Sequence, residues 1–239
     1  MKVLVLGASG ATGRLVLKRL LDKGVETKIM VRDPSRIPDN YRNSRFLECI
    51  TGNITGLETD GYISLFTGCD AVISCLGHNI TLKGVFGEPK MLVTDTLKKI
   101  SEAIMTNGQE RTKLVLMNTT ANRNSGIGEK YGLPDRVVLS LLYRFLPPQR
   151  DNVEAASFLV NEIGSENPKF EWTVVRPDTL VDDENESGFE IHRSPIQSPV
   201  FKAGETSRIN VSSFLVSLLF DEKLWERWKF QMPVIYNKN

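Results

Sequence analysis

The chain has 239 residues, with 30 lysines and arginines against 29 aspartates and glutamates. That near-zero balance argues against a polyanion-binding surface, and nothing in it asks for nucleic acid. Its 3 cysteines (Cys49, Cys69, Cys75) are odd in number and lack C-x-x-C spacing, so they fit buried thiols in a reducing compartment better than a disulfide frame. With 2 histidines and scattered acids no metal site is expected, and no run of about 18 apolar residues exists to span a membrane.

Lys2 to Leu6 reads as a short buried strand that runs into Gly7-Ala8-Ser9-Gly10-Ala11-Thr12-Gly13. An amphipathic helix follows, with Leu15, Val16, Leu17, Leu20 and Leu21 as its apolar residues. A glycine turn between strand and helix leaves backbone N–H groups at the positive end of the helix dipole, where a pyrophosphate can sit. Gly7 serves the tight turn, Gly10 the approach of phosphates, and Gly13 the packing of helix on strand. The context predicts a dinucleotide site. With the first strand at residue 2, no signal peptide is expected ahead of it, and the expected compartment is the cytoplasm.

Glu26 to Val31 is the second strand. An acidic residue near its end would bind the ribose 2′-OH of NAD(H). That place holds Arg32, with Asp33 next, Arg36 close behind and Arg14 within reach in the preceding helix. Forked, permanently charged guanidiniums suit a 2′-phosphate, so the expected cofactor is NADP(H), with NAD(H) the weaker reading because of Asp33. The alternative is that Arg32 and Arg36 are solvated loop charges pairing with Asp33 and Asp39.

Arg45 to Cys49 is expected as strand three, ending at Gly52-Asn53-Ile54, and a helix over Leu57 to Phe66 follows. Ala71 to Gly77 is strand four, apolar as a strand buried on both faces should be. A long helix over Pro89 to Thr106 leads to strand five, Lys113 to Asn118. Asn122 to Gly132, polar and glycine-rich, reads as a mobile loop. Val137 to Leu146 is apolar enough for a buried helix ending at Pro147-Pro148. Asn152 to Ile163 is the next helix and Trp172 to Arg176 strand six. Asp182 to Glu186 reads as a solvated turn, and Gly188 to Arg193 alternates like a hairpin strand, with His192 in a structural role. Arg208 to Ser213 leads into a serine-capped helix over Phe214 to Phe220, and Trp225, Trp228 and Phe230 are expected to pack the last helix and strand on the sheet. Alternating strands and helices imply an α/β fold, a doubly wound parallel sheet with a small C-terminal substrate-side region. It is expected to form one domain over residues 1–239, with 121–150 and 178–207 as substrate-side insertions. Ligands in such sheets bind beyond the C-terminal strand ends, which nominates Gly7 to Gly13, Arg32, Asn53, Cys75 to His78, Asn118 to Thr120 and Pro177 to Leu180.

These segments together resemble a family. Gly-Ala-Ser-Gly-Ala-Thr-Gly, Val-Arg-Asp-Pro-Ser-Arg, Gly-Asn-Ile, Ile-Ser-Cys-Leu-Gly and Trp-Thr-Val-Val-Arg-Pro occur in the order of an atypical short-chain dehydrogenase/reductase with a Rossmann fold, over residues 1 to about 180. Within it the chain is most similar to the biliverdin-IXβ/flavin reductases and the NmrA-like proteins. The resemblance implies that Ser9, Ala11, Thr12, Arg14, Arg32 and Arg36 belong to the phosphate and adenosine end. It places Asn53 and Ile54 beside the adenine, where relatives usually carry Asp. Cys75, Leu76, Gly77 and His78 would line the ribose and nicotinamide, with Thr119, Thr120 and Pro177 nearby. Thr120 stands where the superfamily usually has serine. It and His78 are the candidate catalytic residues, each also readable as a structural turn or loop residue.

One departure bears on mechanism. None of the 5 tyrosines has a lysine four residues on; aligned by eye, the motif's tyrosine falls near Pro148 or Gln149 and its lysine near Asn152 or Val153. Alcohol–ketone chemistry through a phenol of lowered pKa is therefore not expected, and nucleotide-sugar epimerisation is disfavoured. Two readings remain. One is a reductase passing hydride to a planar conjugated acceptor of flavin, quinone or tetrapyrrole type. The other is an NADP(H)-sensing regulator of the NmrA-like kind. The insertion at 121–150 is read as an apolar lid over the acceptor, or as a core helix or subunit contact, in a monomer or homodimer.

Overall fold

The computed structural model describes residues 1–78, 81–107 and 111–238. Ten strands are described: β1 (Lys2–Leu6), β2 (Glu26–Val31), β3 (Leu47–Thr51), β4 (Ala71–Ser74), β5 (Thr112–Met117), β6 (Phe170–Pro177), β7 (Thr179–Val181), β8 (Phe189–His192), β9 (Glu205–Ser207) and β10 (Val234–Asn237). The helices are α1 (Ala11–Asp22), α2 (Asp39–Arg42), α3 (Thr59–Phe66), α4 (Leu82–Phe86), α5 (Leu92–Asn107), α6 (Leu133–Phe145), α7 (Pro147–Ser157), α8 (Arg208–Phe220) and α9 (Glu222–Trp228). The main sheet has 8 strands in the order β3-β2-β1-β4-β5-β6-β10-β8, and a second sheet pairs β7 with β9. The first six follow the doubly wound Rossmann order, all parallel, with β8 antiparallel on the far edge. The order reverses between β1 and β4, the switch point where such sheets open a crevice.

Alternation along each strand builds the two sides of the core. Val3 and Val5 of β1, Ile73 of β4 and Val175 of β6 join α1 and α8 on one face. Leu4 and Leu6, Val72, Leu114, Leu116, Trp172 and Val174 join α3, α5 and α7 on the other. Each such buried aliphatic or aromatic side chain contributes about 1.5–3 kcal/mol relative to leaving it exposed. No helix among the described residues is long and apolar enough to cross a membrane.

Several expectations need correction. Strand three lies two residues further on than expected, with Thr27 to Val31 paired to Leu47 to Thr51. Asn122 to Gly132 is pinned rather than loose, because buried Arg176 reaches into it. The guanidinium donates to Glu129 Oε2 at 2.8 Å and Oε1 at 3.0 Å, and to the carbonyls of Met232 (2.8 Å), Asn122 (2.9 Å) and Arg193 (3.3 Å). Glu129 Oε2 also accepts the Asn124 N–H at 2.7 Å. Pro147 and Pro148 do not merely end the preceding helix. They occupy the first turn of α7, where a missing N–H costs nothing. Helix α7 runs on through a π-helical turn over Phe158–Ile163. Helix α6 is not buried: Leu133, Val137, Leu141 and Phe145, spaced four apart, face solvent. Helix α8 starts at Arg208, capped by Ser207, whose hydroxyl accepts the Asn210 N–H. Residues 189–192 form no hairpin with their neighbour and instead pair with β10.

Candidate functional site

The glycine turn shapes one wall of the crevice. Gly7 has φ 77°, and a Cβ there would lie 2.6 Å from the Cys75 carbonyl oxygen, so β1 and β4 can adjoin only through glycine. A Cβ on Gly13 would lie 2.1 Å from the Gly7 oxygen, which is why the first turn of α1 can sit directly on the loop. Gly10 is extended at the helix N-cap, no side chain caps the helix, and its first turn holds no acid. The first-turn N–H groups of Ala11, Thr12 and Gly13 thus lack a side-chain acceptor at the positive end of the dipole. That uncapped cradle, with room only for backbone, fits a pyrophosphate.

The crevice is a cleft of about 300 Å³. Of the sequence candidates, Gly7, Ser9, Gly10, Arg32, Arg36, Asn53, Ile54, Cys75, Leu76 and Gly77 line it. Thr12 is buried in the first turn of α1, with Ala11 and Arg14 exposed beside it. Met30, Gly52, Thr55, Glu88, Pro89 and Leu92 also line the cleft and were not foreseen. The two arginines are not paired off by the nearby acids. Asp33 Oδ1 accepts the Ser35 N–H (3.0 Å) and hydroxyl (2.6 Å), which hold its carboxyl below the usual value, and Asp39 pairs with Arg42. Among the described residues Arg32 and Arg36 have no carboxylate partner in a salt bridge. Burial pushes the Cys75 thiol up to about 12, so it meets the cleft as a neutral group.

The remaining candidates stand at the ends of β4, β5 and β6. The Thr119 N–H bonds Asn118 Oδ1 at 2.9 Å, and its hydroxyl accepts the Ala121 N–H at 3.2 Å. Thr120 is buried, its N–H on the Pro177 carbonyl at 3.1 Å and its own carbonyl accepting the Tyr131 hydroxyl at 2.6 Å. Its hydroxyl lies against Asp178, whose carboxyl burial pushes up, partly offset by hydrogen bonds from the Gly204 N–H and Thr120. His78 has Nε2 2.8 Å from Asp151 Oδ2 and Nδ1 3.3 Å from the Gly84 carbonyl. Both ring nitrogens therefore have protein partners.

Asp151, which no sequence motif singles out, lies between the places where a tyrosine and lysine of the motif would fall. It accepts the Val93 and Thr94 N–H groups at 2.8 Å each and so caps α5 from α7. Burial pushes its carboxyl up, but the bonds from His78, Thr94 and Val93 outweigh that and hold it below the usual value. The clasp ties the segment after β4 to the helix whose Leu92 lines the cleft.

A family model described as NAD(P)H-binding matches residues 7–222. The chain belongs to the NAD(P)H-binding family. Among solved structures, this NAD(P)H-binding protein is similar to a proposed NADH-flavin reductase from Streptococcus pneumoniae, at 16% identity and TM-score 0.65 with 100% of each chain covered. It is similar to an anaerobillin reductase from Escherichia coli at 12% identity and TM-score 0.70, covering 100% of this chain and 98% of that one. It also matches a short-chain dehydrogenase/reductase of the wide type from Veillonella parvula in complex with NADP, at 14% identity and TM-score 0.69, with 100% and 95% covered. At such identities the likeness establishes the fold alone, a Rossmann domain.

The NAD(P)H-binding protein carries a second cavity, of about 410 Å³. It starts at Ala121, one residue past Thr120, and lies between the 121–131 loop, α6 and α7. Gln149 and Val153 face it, at the positions where the tyrosine and lysine were sought. The Gln149 amide donates to the Ala121 carbonyl at 2.9 Å.

Proposed function

We propose that the protein is an NADPH-dependent reductase that delivers hydride to a planar conjugated acceptor of flavin, quinone or tetrapyrrole type. The observation that carries this reading is the pairing of an uncapped glycine cradle, flanked by Arg32 and Arg36, with a separate cavity next to Thr120. Bound NADPH would supply the hydride and leave as NADP⁺. The chain's part is to bind and orient. First-turn N–H groups of α1 take the pyrophosphate. Arg32 and Arg36, joined by exposed Arg14 from the first turn of α1, take the 2′-phosphate, which favours NADPH over NADH. Asn53 and Ile54 flank the adenine, and Cys75 to Gly77 the ribose.

Thr120 and His78 act in this reading by position: Thr120 shapes the end of β5, and His78 with Asp151 holds the segment after β4. The motif positions hold Gln149 and Val153, and the two phenols that line the cavity are engaged elsewhere, Tyr131 on the Thr120 carbonyl and Tyr143 on Glu154, so an acceptor that spreads the incoming charge and takes its proton from water is the one served. Volumes of about 300–1,000 Å³ are usual for small-molecule sites. The protein works as one domain over residues 1–239, in the cytoplasm, where its three thiols stay reduced.

The test follows NADPH fluorescence on the purified protein, then adds flavins, quinones and biliverdin in turn. Binding followed by decay with one acceptor upholds the reductase. A bound signal that persists through the whole panel replaces it with a non-catalytic NADP(H) sensor.

A further inference from the structure

We infer that the acceptor is an anion, an apolar planar body bearing a carboxylate or phosphate that Arg123 and Arg136 grip. This rests on the reductase reading above. Both arginines line the cavity beside Thr120, and both also line its continuation, a recess of about 340 Å³ that reaches Lys130. Three cations thus converge on one opening.

The neighbouring carboxylates are turned to other uses. Glu129 is taken by Arg176, with two bonds at 2.8 and 3.0 Å. Buried Asp135, at the start of α6, accepts the Ser198 hydroxyl at 2.5 Å. Glu154 accepts the Tyr143 hydroxyl. Among the described residues Arg123, Lys130 and Arg136 form no salt bridge; Asp135 and Glu154 keep their charge under these hydroxyl bonds but hold neither guanidinium, so both arginines are free to turn to a ligand. The same lining carries Leu139, Val153, Val160 and Met232, among polar Ser140, Gln149 and Ser157. A lining that joins cations to apolar side chains selects an amphiphile: the apolar side chains take a ring system, and the planar guanidiniums take an oxyanion in paired hydrogen bonds. A neutral ring of the same shape would meet the apolar side chains and leave the guanidiniums in water.

The experiment uses matched pairs that differ only in the anion: FMN against riboflavin for phosphate, and biliverdin against its dimethyl ester for carboxylate. NADPH oxidation is followed for wild type and for Arg123→Gln/Arg136→Gln, and direct binding of each compound is followed by intrinsic fluorescence without NADPH. NADPH fluorescence reports a folded cofactor cleft in each variant. The expected result is a KM or Kd at least about tenfold lower for the charged member of one pair, a preference that shrinks in high salt and vanishes in the double variant. Which pair discriminates names the anion. Equal values within both pairs, or a preference that survives the double substitution, overturn the inference. If no compound is reduced, the reductase reading fails separately, and the binding arm alone decides the anion site by the same two criteria.

Discussion

Arg176 is the residue on which the substrate-side loop most depends, and its removal has a calculable cost. Its five N–H groups are all engaged: two on Glu129, and one each on the carbonyls of Met232, Asn122 and Arg193. Both partners of the ion pair are almost fully buried, at 0% and 3% side-chain exposure. Arg176→Met keeps the volume along β6 but leaves the Glu129 carboxylate buried without its cation. Such a break costs about 3–5 kcal/mol. In a domain of this size that lowers Tm by roughly 6–20 °C. Adding Glu129→Met removes the stranded charge, so the double variant should recover about 2 kcal/mol or more, while the orphaned carbonyls keep it below wild type. Urea denaturation of wild type, both single variants and the double gives the cycle, and amide exchange over residues 122–131 should quicken most in Arg176→Met. A cost below about 1 kcal/mol, or a double variant as unstable as the two singles summed, would refute the claim that this pair holds the loop.

Other consequences are as direct. Arg32→Glu should raise the Kd for NADPH at least about tenfold and change NADH much less, since only NADPH carries the 2′-phosphate; titration of the two by fluorescence decides it. Gly13→Ala forces a Cβ to 2.1 Å from the Gly7 oxygen and should cost about 1–3 kcal/mol together with cofactor binding. Gly10→Ala, whose Cβ would sit 3.2 Å from that oxygen, should keep its stability within about 1 kcal/mol and still lose NADPH. Asp151→Asn should cost about 1.5–3 kcal/mol above pH 5. The native carboxyl is held below its unfolded value of about 3.9, so its contribution is complete above that pH and drains away as pH falls through the lower native value. The stability gap between Asp151→Asn and wild type should therefore close in urea titrations taken below about pH 4. A gap that widens there would contradict the clasp.

The glycine turn, the parallel order of the first strands and the arginines at the end of β2 were legible because each depends on residues adjacent in sequence. Gly7 to Gly13 carry their backbone requirements locally, and the apolar runs of β1 and β4 announce strands buried on both faces. Boundaries were less so. Pro147 and Pro148 signal a break, but whether they close α6 or open α7 depends on the packing around them. The apolar content of α6 promised burial, yet among the described residues nothing covers Leu133, Val137, Leu141 and Phe145, and they remain outside. Polar, glycine-rich residues 122–132 gave every sign of mobility, because the charge that anchors them arrives from 47 residues away in β6. The clasp of His78 on Asp151, 73 positions apart, and the convergence of Arg123 and Arg136 on one cavity are of the same kind. Sequence alone determined the local backbone chemistry of the glycine cradle. Which charges are neutralised, and which stay free to meet a ligand, was decided only when folding brought distant side chains within hydrogen-bond reach.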